Sequence, residues 1–392
     1  MIALAAADGG TGEPAGPKML LTVIDLDALP AIRILGQTEA APNNVTFGSE
    51  LQAVWPREDV LVWVGGGFSY GWGCINCAVP TMADALIARP WPFWGGSSGG
   101  QLIAFDVRDA AAPKFATAVN LSSNTWWNFS KAFAQDGKVY LSHQASRFIP
   151  VKTDAGEAIP TAPANQLGAA APIDPIVIYP PTGKWITRWY LDVVDYADAA
   201  EPLVRRPSNI PGSLVGLSHN AEVLYTRGVH WTREGTSDWT EYLDAVAYDG
   251  VKARLIDSLP LSNSWTRALL VSGTNVFLSR FGPESDATGA ASAASLDTWF
   301  LADTGKFTRS GTVRMSAQAS TLAEFNGLLA VQQTDNGVTL FDATNGSTLR
   351  KVGEAKTGGC VWYDLTKADG ALGHGVWLPL GAYGVTRVPA TP

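Results

Sequence analysis

Four side chains of this 392-residue sequence could together remove and return a proton: His143, Arg147, Tyr225 and Arg227. Cleavage of an acidic polysaccharide by β-elimination needs a base, an acid and a cation that neutralises the sugar carboxylate, and these residue types can fill those roles. Their spacing matches no catalytic motif. An enzyme, either a polysaccharide lyase or a glycoside hydrolase, is therefore the alternative interpretation, and a non-catalytic protein is the favoured one.

Sequence motifs of other chemistries are absent. There is no GxGxxG after an apolar run, no P-loop, no GxSxG and no HExxH, so nucleotide-binding, hydrolase and zincin sites have no support. No second CxxC and no nearby pair of histidines completes a tetrahedral zinc site. We predict no cofactor and no bound metal.

Large aromatic side chains are the stronger functional signal, because the sequence contains 15 Trp. Trp offers a large, amphipathic contact area and is enriched at binding sites. The expected ligand-binding residues are Trp91, Trp94, Trp126, Trp127, Trp231 and Trp265, together with His230. The alternative is that these indoles pack the loops onto the domain as a satellite core.

Composition excludes several classes of protein. The sequence is 46% hydrophobic and 16% charged, so it can bury a large core and is not disordered. No apolar run reaches the roughly 18 residues of a membrane span, and we predict no membrane insertion. The net charge of −8 comes with no dense Lys/Arg cluster, so nucleic acid is not an expected partner.

A repeat in the sequence predicts the strands and turns on which these residues lie. Short apolar runs ending in Asp recur six times: Thr22–Asp25, Ile103–Asp106, Asp192–Asp195, Val246–Asp249, Phe300–Asp303 and Thr339–Asp342. Each is followed by a short turn and a second run, which predicts a β-hairpin. Another hairpin follows, with turns at Pro56–Asp59, Asp136–Gly137, Asn220, Gly273–Asn275, Asn326–Gly327 and Asp369–Gly370.

Repeated four-stranded antiparallel units without an amphipathic helix are typical of a β-propeller. The sequence therefore predicts an all-β protein whose strands a, b, c and d run outward in each blade. The first blade lacks strand a and the last lacks strand d, which predicts 26 strands in the whole chain. Seven blades are favoured, with six as the alternative if the two end blades merge.

The organisation of the chain follows from this pattern. Residues 1–392 are expected to form one β-propeller domain, excised from a longer chain because it starts in the middle of a blade. Two long insertions, 65–100 and 146–184, are both b-to-c connections and so crowd one face. Most of the loop Trp belong to b-to-c or d-to-a connections on that face, whereas the opposite turns are polar and free of Trp.

Two segments resemble bacterial secreted β-propeller repeat proteins that are distantly related to WD40 proteins. These are Asp192–Val204 and Phe105–Pro113, in which a strand ending in Asp leads into a turn with a second Asp and a Pro. The resemblance implies a propeller fold and an exported location, extracellular or periplasmic. It implies no particular chemistry, because such proteins share none.

The expected exported location bears on the three cysteines, because disulfides persist in oxidising compartments. Cys74 and Cys77 form a CxxC pair that could be a redox dithiol, half of a zinc site or a small disulfide. In an exported protein a disulfide between them is favoured, with free thiols as the next interpretation. Cys360 is expected to be a small buried apolar residue.

These observations predict a non-catalytic, exported β-propeller module that binds a protein or a glycan through a Trp-rich face. The expected role is interaction or scaffolding within a larger polypeptide or complex.

Overall fold

The structure is a computed structural model. It describes residues 2–7, 18–25, 33–40, 52–65, 101–121, 126–127, 132–150, 183–231, 239–261, 268–282, 293–346, 348–356, 365, 368–380 and 385–391. These residues form 28 β-strands and no α-helix. Within the same residues, no helix is long and apolar enough to cross a membrane.

The first three sheets contain 13 of these strands, and neighbouring strands are antiparallel wherever their register is known. Sheet 1 consists of β1 (Ile2–Ala7), β2 (Lys18–Asp25) and β3 (Arg33–Ala40); sheet 2 of β4 (Gln52–Arg57), β5 (Val60–Gly65), β6 (Gln101–Asp106) and β7 (Lys114–Asn120); and sheet 3 of β8 (Trp126–Trp127), β9 (Phe133–Gln135), β10 (Lys138–Pro150), β11 (Gly183–Asp195), β12 (Leu203–Val204) and β13 (Ser208–Ile210).

The other four sheets repeat the same strand order. Sheet 4 consists of β14 (Ser213–Leu217), β15 (Val223–Trp231), β16 (Trp239–Tyr248) and β17 (Ala253–Pro260); sheet 5 of β18 (Leu269–Ser272), β19 (Asn275–Gly282), β20 (Ala293–Leu301) and β21 (Phe307–Met315); sheet 6 of β22 (Ala319–Phe325), β23 (Leu328–Gln333), β24 (Gly337–Asp342) and β25 (Arg350–Lys356); and sheet 7 of β26 (Asp369–Ala371), β27 (Gly375–Pro379) and β28 (Val385–Val388).

This order confirms the predicted all-β architecture of four-stranded antiparallel β-propeller blades. Five sheets are complete, while sheets 1 and 7, at the two ends of the chain, have three strands each. The preference for seven blades is not confirmed by these sheets. Six blades, the alternative from the sequence, result when the two end sheets together make one blade.

Two details differ from the sequence prediction. In sheet 3 the first and last strands are each interrupted, since β8 and β9 both pair with β10, and β12 and β13 both pair with β11. This accounts for the two strands beyond the expected 26. In sheet 7, Asp369 and Gly370 lie inside β26 and not in its turn, because the positive φ values that close this hairpin belong to Gly373 and Gly375.

The recurring Asp has a structural explanation. The Oδ1 atoms of Asp106, Asp195, Asp249 and Asp342 each accept a hydrogen bond from the backbone N–H two residues later, at 2.9–3.1 Å. Such an Asx turn satisfies a backbone donor where the chain leaves strand c. In four of the six runs detected in the sequence, the recurring Asp is therefore a turn cap.

The chain divides into two compact units, comprising Met1–Ala53, Asp59–Phe129 and His143–Arg188 in the first and Val54–Glu58, Ser130–Ser142 and Trp189–Pro392 in the second. In the first unit, Leu21 of sheet 1 shares a buried cluster with Leu61 and Phe105 of sheet 2. In the second unit, consecutive sheets share apolar clusters in the same way. One of them joins Tyr225 of sheet 4 to Leu278 of sheet 5.

Candidate functional site

Several of the predicted site residues lie outside the described residues. They are Cys74, Cys77, Trp91, Trp94 and Trp265. The disulfide and the contribution of these indoles to a binding face stay predictions.

Trp126 and Trp127 form the short strand β8, although the sequence placed them in a d-to-a connection. Backbone pairing with β10 sets Trp127 opposite His143 and Trp126 opposite Gln144. The structure thus brings a predicted binding residue and a predicted catalytic residue to neighbouring positions. His143 is buried, and Arg147 lies four residues further along β10.

Tyr225 is fully buried in the apolar cluster between sheets 4 and 5, with its ring centroid 6.3 Å from that of Phe307. Its hydroxyl has no hydrogen-bond partner among the described residues. Burial raises the pKa of Tyr225 to about 12, because a phenolate is poorly solvated in an apolar environment. In this position the hydroxyl does not reach a substrate at the surface.

Arg227 lies two residues after Tyr225 and on the same face of β15, since alternate residues of a strand share a face. Its guanidinium donates two hydrogen bonds to the carboxylate of Glu241 on β16, at 2.6 and 2.9 Å. This bidentate geometry fixes the plane of the guanidinium. Both side chains are partly exposed.

His230 lies near the end of β15 that leads into the b-to-c connection, next to the paired backbone positions Trp231 and Trp239. Its ring stacks on Tyr242, with a centroid distance of 4.3 Å. Nε2 of His230 lies 2.9 Å from Oδ2 of Asp244, which is fully buried in β16. The carboxylate therefore orients a partly exposed imidazole.

The second oxygen of Asp244 also has a partner. Ser258 of β17 donates a hydrogen bond of 2.6 Å from its Oγ to Oδ1 of Asp244. The aspartate is thus the centre of the network, and the serine contacts the aspartate instead of the histidine. This is not the order of a catalytic triad, in which the histidine stands between the other two residues.

Sheet 5 contains a second buried carboxylate, Asp297, at 0% exposure. Arg309 donates a hydrogen bond of 2.6 Å from Nη2 to its Oδ1, and Thr312 donates one of 2.8 Å to the same oxygen. Nε of Arg280 lies 2.9 Å from Oδ2, close enough for an ion pair but without the alignment of a hydrogen bond. Two guanidinium groups therefore converge on one carboxylate.

The two carboxylates occupy equivalent positions. Each lies one residue before a β-bulge of strand c, and each is directly opposite the strand d residue that donates to it, Ser258 or Thr312. A third buried aspartate, Asp192 in sheet 3, precedes a similar irregularity of register. Sheets 3, 4 and 5 thus share a polar position inside an apolar strand.

The prediction from sequence included Arg227 and His230 but missed Asp244, Arg280, Asp297 and Arg309. A signal was present, because each buried aspartate follows a fully buried leucine in the dipeptides Leu191–Asp192, Leu243–Asp244 and Leu296–Asp297. A charged residue at the same place in three apolar runs is costly to bury unless it is paired. That recurrence predicts a paired polar side chain at this position of strand c.

The arginines of sheets 4 and 5 belong to facing surfaces. Tyr225 and Leu278 share an apolar cluster, and Arg227 and Arg280 each come two residues later on their strands, toward the b-to-c end. Leu278 is paired directly with Asp297, so the Asp297 network lies on the side of sheet 5 that packs against sheet 4. We call Arg227, Glu241, Arg280, Asp297 and Arg309 the arginine cluster.

No group of three or more His, Cys, Asp and Glu side chains within the described ranges could hold a metal ion. The planar guanidinium donors of the arginine cluster have the chemistry to recognise an acidic group.

Comparison with known proteins gives neither a matching family model nor a matching curated protein. Among solved structures, Sqt1 from Chaetomium thermophilum is similar, with 11% identity and a TM-score of 0.39, over 88% of this chain and 66%, just under two thirds, of that chain. The mitotic checkpoint complex has a chain with 9% identity and a TM-score of 0.43, over 96% of this chain and 85% of that one.

A periplasmic gluconolactonase from Pseudomonas aeruginosa, PpgL, is also similar. It has 11% identity and a TM-score of 0.33, over 76% of this chain and 93% of the gluconolactonase. Similarity at this level says nothing about ligand or reaction.

Proposed function

We propose that this protein is a non-catalytic, exported binding module that recognises an acidic segment of a partner protein through the arginine cluster. The observation that carries this proposal is the pair of guanidinium groups held by one buried carboxylate, Asp297. Their side chains remain 31% exposed at Arg280 and 48% exposed at Arg309.

The charge balance favours an acidic ligand. A buried carboxylate needs a counter-charge, but one arginine would supply it, and Asp297 has two. Arg227 and Glu241 cancel each other. The cluster therefore has one positive charge in excess in a protein with a net charge of −8.

Preorganisation adds to this preference. Arg309 is held by Asp297 and by Thr312, and Arg227 by a bidentate pair. Side chains that are already ordered lose less rotamer entropy when a ligand binds. Arginine is also enriched at protein interfaces, whereas exposed Lys and Glu are depleted.

The polar networks themselves support a role without catalysis. Proton transfer needs a group that can reach the substrate, and Tyr225 is buried while the Oγ of Ser258 is bonded to Asp244. His230 has one ring nitrogen on the same carboxylate. A hydrogen bond to a buried acid fixes the imidazole as a structural group.

The exported location and the Trp-rich face belong to the same proposal. The resemblance of 105–113 and 192–204 to secreted repeats supports export, and the predicted indoles of the b-to-c and d-to-a connections would extend the contact area around the arginines. Fractionation of cells that produce the full-length protein tests the location. Recovery of the protein only in the cytoplasm would contradict it.

Titration with an oligoglutamate peptide tests the ligand class. Arg280→Gln and Arg309→Gln should each weaken binding about tenfold, since a hydrogen bond to a charged group contributes about 1.5–3 kcal/mol, and added salt should weaken wild-type binding. Arg350→Gln is the matched control, because Arg350 pairs with Asp342 at the c-to-d turn.

Two results would overturn the proposal. One is the absence of measurable peptide binding by a folded wild-type protein. The other is an equal loss of affinity in the Arg350→Gln control. If an oligogalacturonate binds at the cluster and the peptide does not, the ligand is an acidic glycan and not a protein segment.

A further inference from the structure

A second candidate binding surface lies at the a-to-b end of the strands, opposite to the b-to-c end toward which the arginine cluster lies. An open groove of about 570 Å³ is lined by residues 55–58, where β4 ends, and by residues 134–136, at the β9–β10 turn. All of these residues belong to the second compact unit. The sequence predicted only polar turns without Trp at this end, yet Trp55 lines the groove with 47% of its side chain exposed.

The frame of the groove is held by backbone hydrogen bonds. Gly137 donates from its N–H to the carbonyl of Pro56 at 3.0 Å, and Tyr196 donates to the carbonyl of Gly137 at 2.8 Å. The guanidinium of Arg57 donates to the carbonyl of Ala197 at 2.8 Å. Asp136 has a positive φ of 48° in a tight hairpin turn. The walls are therefore ordered before any ligand binds.

The lining combines one exposed indole with several polar side chains. Arg57, Glu58, Gln135 and Asp136 stand around Trp55. A pyranose ring has the complementary chemistry, with a face of C–H groups that packs on an indole and a rim of hydroxyls that pair with carboxylate, amide and guanidinium groups. The volume also lies within the range of small-molecule sites, about 300–1,000 Å³.

The charged residues of the groove favour a neutral sugar over an acidic one. The lining contains one cation, Arg57, and two carboxylates, Glu58 and Asp136. The ammonium group of Lys138, which donates to the carbonyl of Asp136 at 3.2 Å, balances the second carboxylate. The groove therefore offers no excess positive charge to a uronic acid or a sulfated sugar, and a neutral sugar needs none.

We propose that this groove binds a neutral hexopyranose unit of a glycan, with the ring stacked on Trp55. This site is independent of the arginine cluster and goes beyond the proposed function, since it adds a second ligand of a different class. One end of the strands would hold an acidic protein segment and the other a neutral sugar.

The test is binding of the full-length protein to an array of neutral glycans built from glucose, galactose, mannose and N-acetylglucosamine, followed by calorimetry with the best oligosaccharide. Trp55→Ala should weaken binding about tenfold or more, which is the scale of an aromatic anchor. Trp377→Ala is the matched control, because Trp377 is 50% exposed and does not line the groove.

A second variant separates the polar contribution from folding. Asp136→Asn keeps a residue that tolerates positive φ, removes one charge and should weaken binding of the same oligosaccharide several-fold. Three outcomes would each overturn the proposal: no neutral glycan binds the folded protein, the bound glycans are exclusively acidic, or Trp55→Ala and Trp377→Ala affect affinity equally. None of them bears on the arginine cluster, so this proposal and the proposed function fail separately.

Discussion

Sheets 4 and 5 bury an aspartate at the same strand position and surround it differently. Asp244 of sheet 4 is hydrogen-bonded to Ser258 and His230. Asp297 of sheet 5 is hydrogen-bonded to Thr312 and forms ion pairs with two arginines. The buried acid is thus a common feature of the repeat. The residues across from it decide whether the aspartate is paired with a hydroxyl and an imidazole or with two guanidinium groups.

One position on strand b shows why the two sheets differ. Register places Gly228 of sheet 4 where sheet 5 has Arg280, since each lies two residues beyond the partner of the buried aspartate. A Cβ at Gly228 would lie 2.7 Å from the carbonyl oxygen of Pro211. The close approach of this backbone excludes a long side chain in sheet 4, and His230 provides the contact from further along the strand.

The largest effect is expected for the double variant Arg280→Gln with Arg309→Gln. It leaves Asp297 buried without a counter-charge, which should lower the free energy of unfolding by about 3–5 kcal/mol. Urea denaturation measures this loss, and Arg350→Gln should show little change because its ion pair is exposed. A double variant as stable as this control would mean that Asp297 does not depend on the arginines.

The next largest loss of stability is expected when the two buried aspartates, Asp297 and Asp244, are each replaced by Asn. Asp297→Asn removes the charge that holds two guanidinium groups and should cost about 2–3 kcal/mol, less than a buried pair because the arginines are partly exposed. Asp244→Asn keeps an acceptor for Ser258 and should cost about 1 kcal/mol. Denaturant unfolding of both variants gives the order, and a reversed order would contradict the contrast between the sheets.

A smaller change of opposite sign is expected at Tyr225. Because its hydroxyl is buried without a partner among the described residues, Tyr225→Phe should raise the free energy of unfolding by up to about 1 kcal/mol. Thermal unfolding is a sufficient readout, with Tyr242→Phe as a control in the same sheet. A clear loss of stability in Tyr225→Phe would show that the hydroxyl has a partner in the folded protein.

The smallest effect concerns Asp257 on β17, which accepts hydrogen bonds from the Lys306 ammonium at 2.7 Å and the Phe307 N–H at 2.9 Å. Burial raises the pKa of Asp257, but these two donors outweigh it and the pKa is lowered overall. The contribution to stability is expected to be below about 1 kcal/mol, since Lys306 is largely exposed.

The pH dependence of this contribution has a definite sign. The folded protein binds the proton of Asp257 less readily than the unfolded chain, so the stabilisation is present above the ordinary aspartate pKa of 3.8 and disappears as the pH falls through the lowered value. The difference in stability between wild type and Asp257→Asn should shrink below about pH 4. A difference that stays constant with acidification would contradict the pKa assignment.

Local patterns in the sequence determined the secondary structure and the order of the strands. Alternating runs, Asx turns at Asp106, Asp195, Asp249 and Asp342, and Gly or Asn at hairpins act over a few residues, so they can be identified without knowing what packs against them. The error at Asp369–Gly370 has the same local origin, because Gly373 and Gly375 are equally suited to the turn. The candidate residues Arg227 and His230 were found because they lie beside a predicted loop.

Which polar residues come into contact depends on the tertiary structure. Arg280 and Arg309 reach Asp297 from two neighbouring strands, and their sequence separations of 17 and 12 residues depend on loop lengths and on a β-bulge that no local rule specifies. The exposure of Trp55 is likewise a consequence of how two turns pack. Burial and charge pairing depend on two segments that pack together in the fold, and the pattern of one segment does not specify the other.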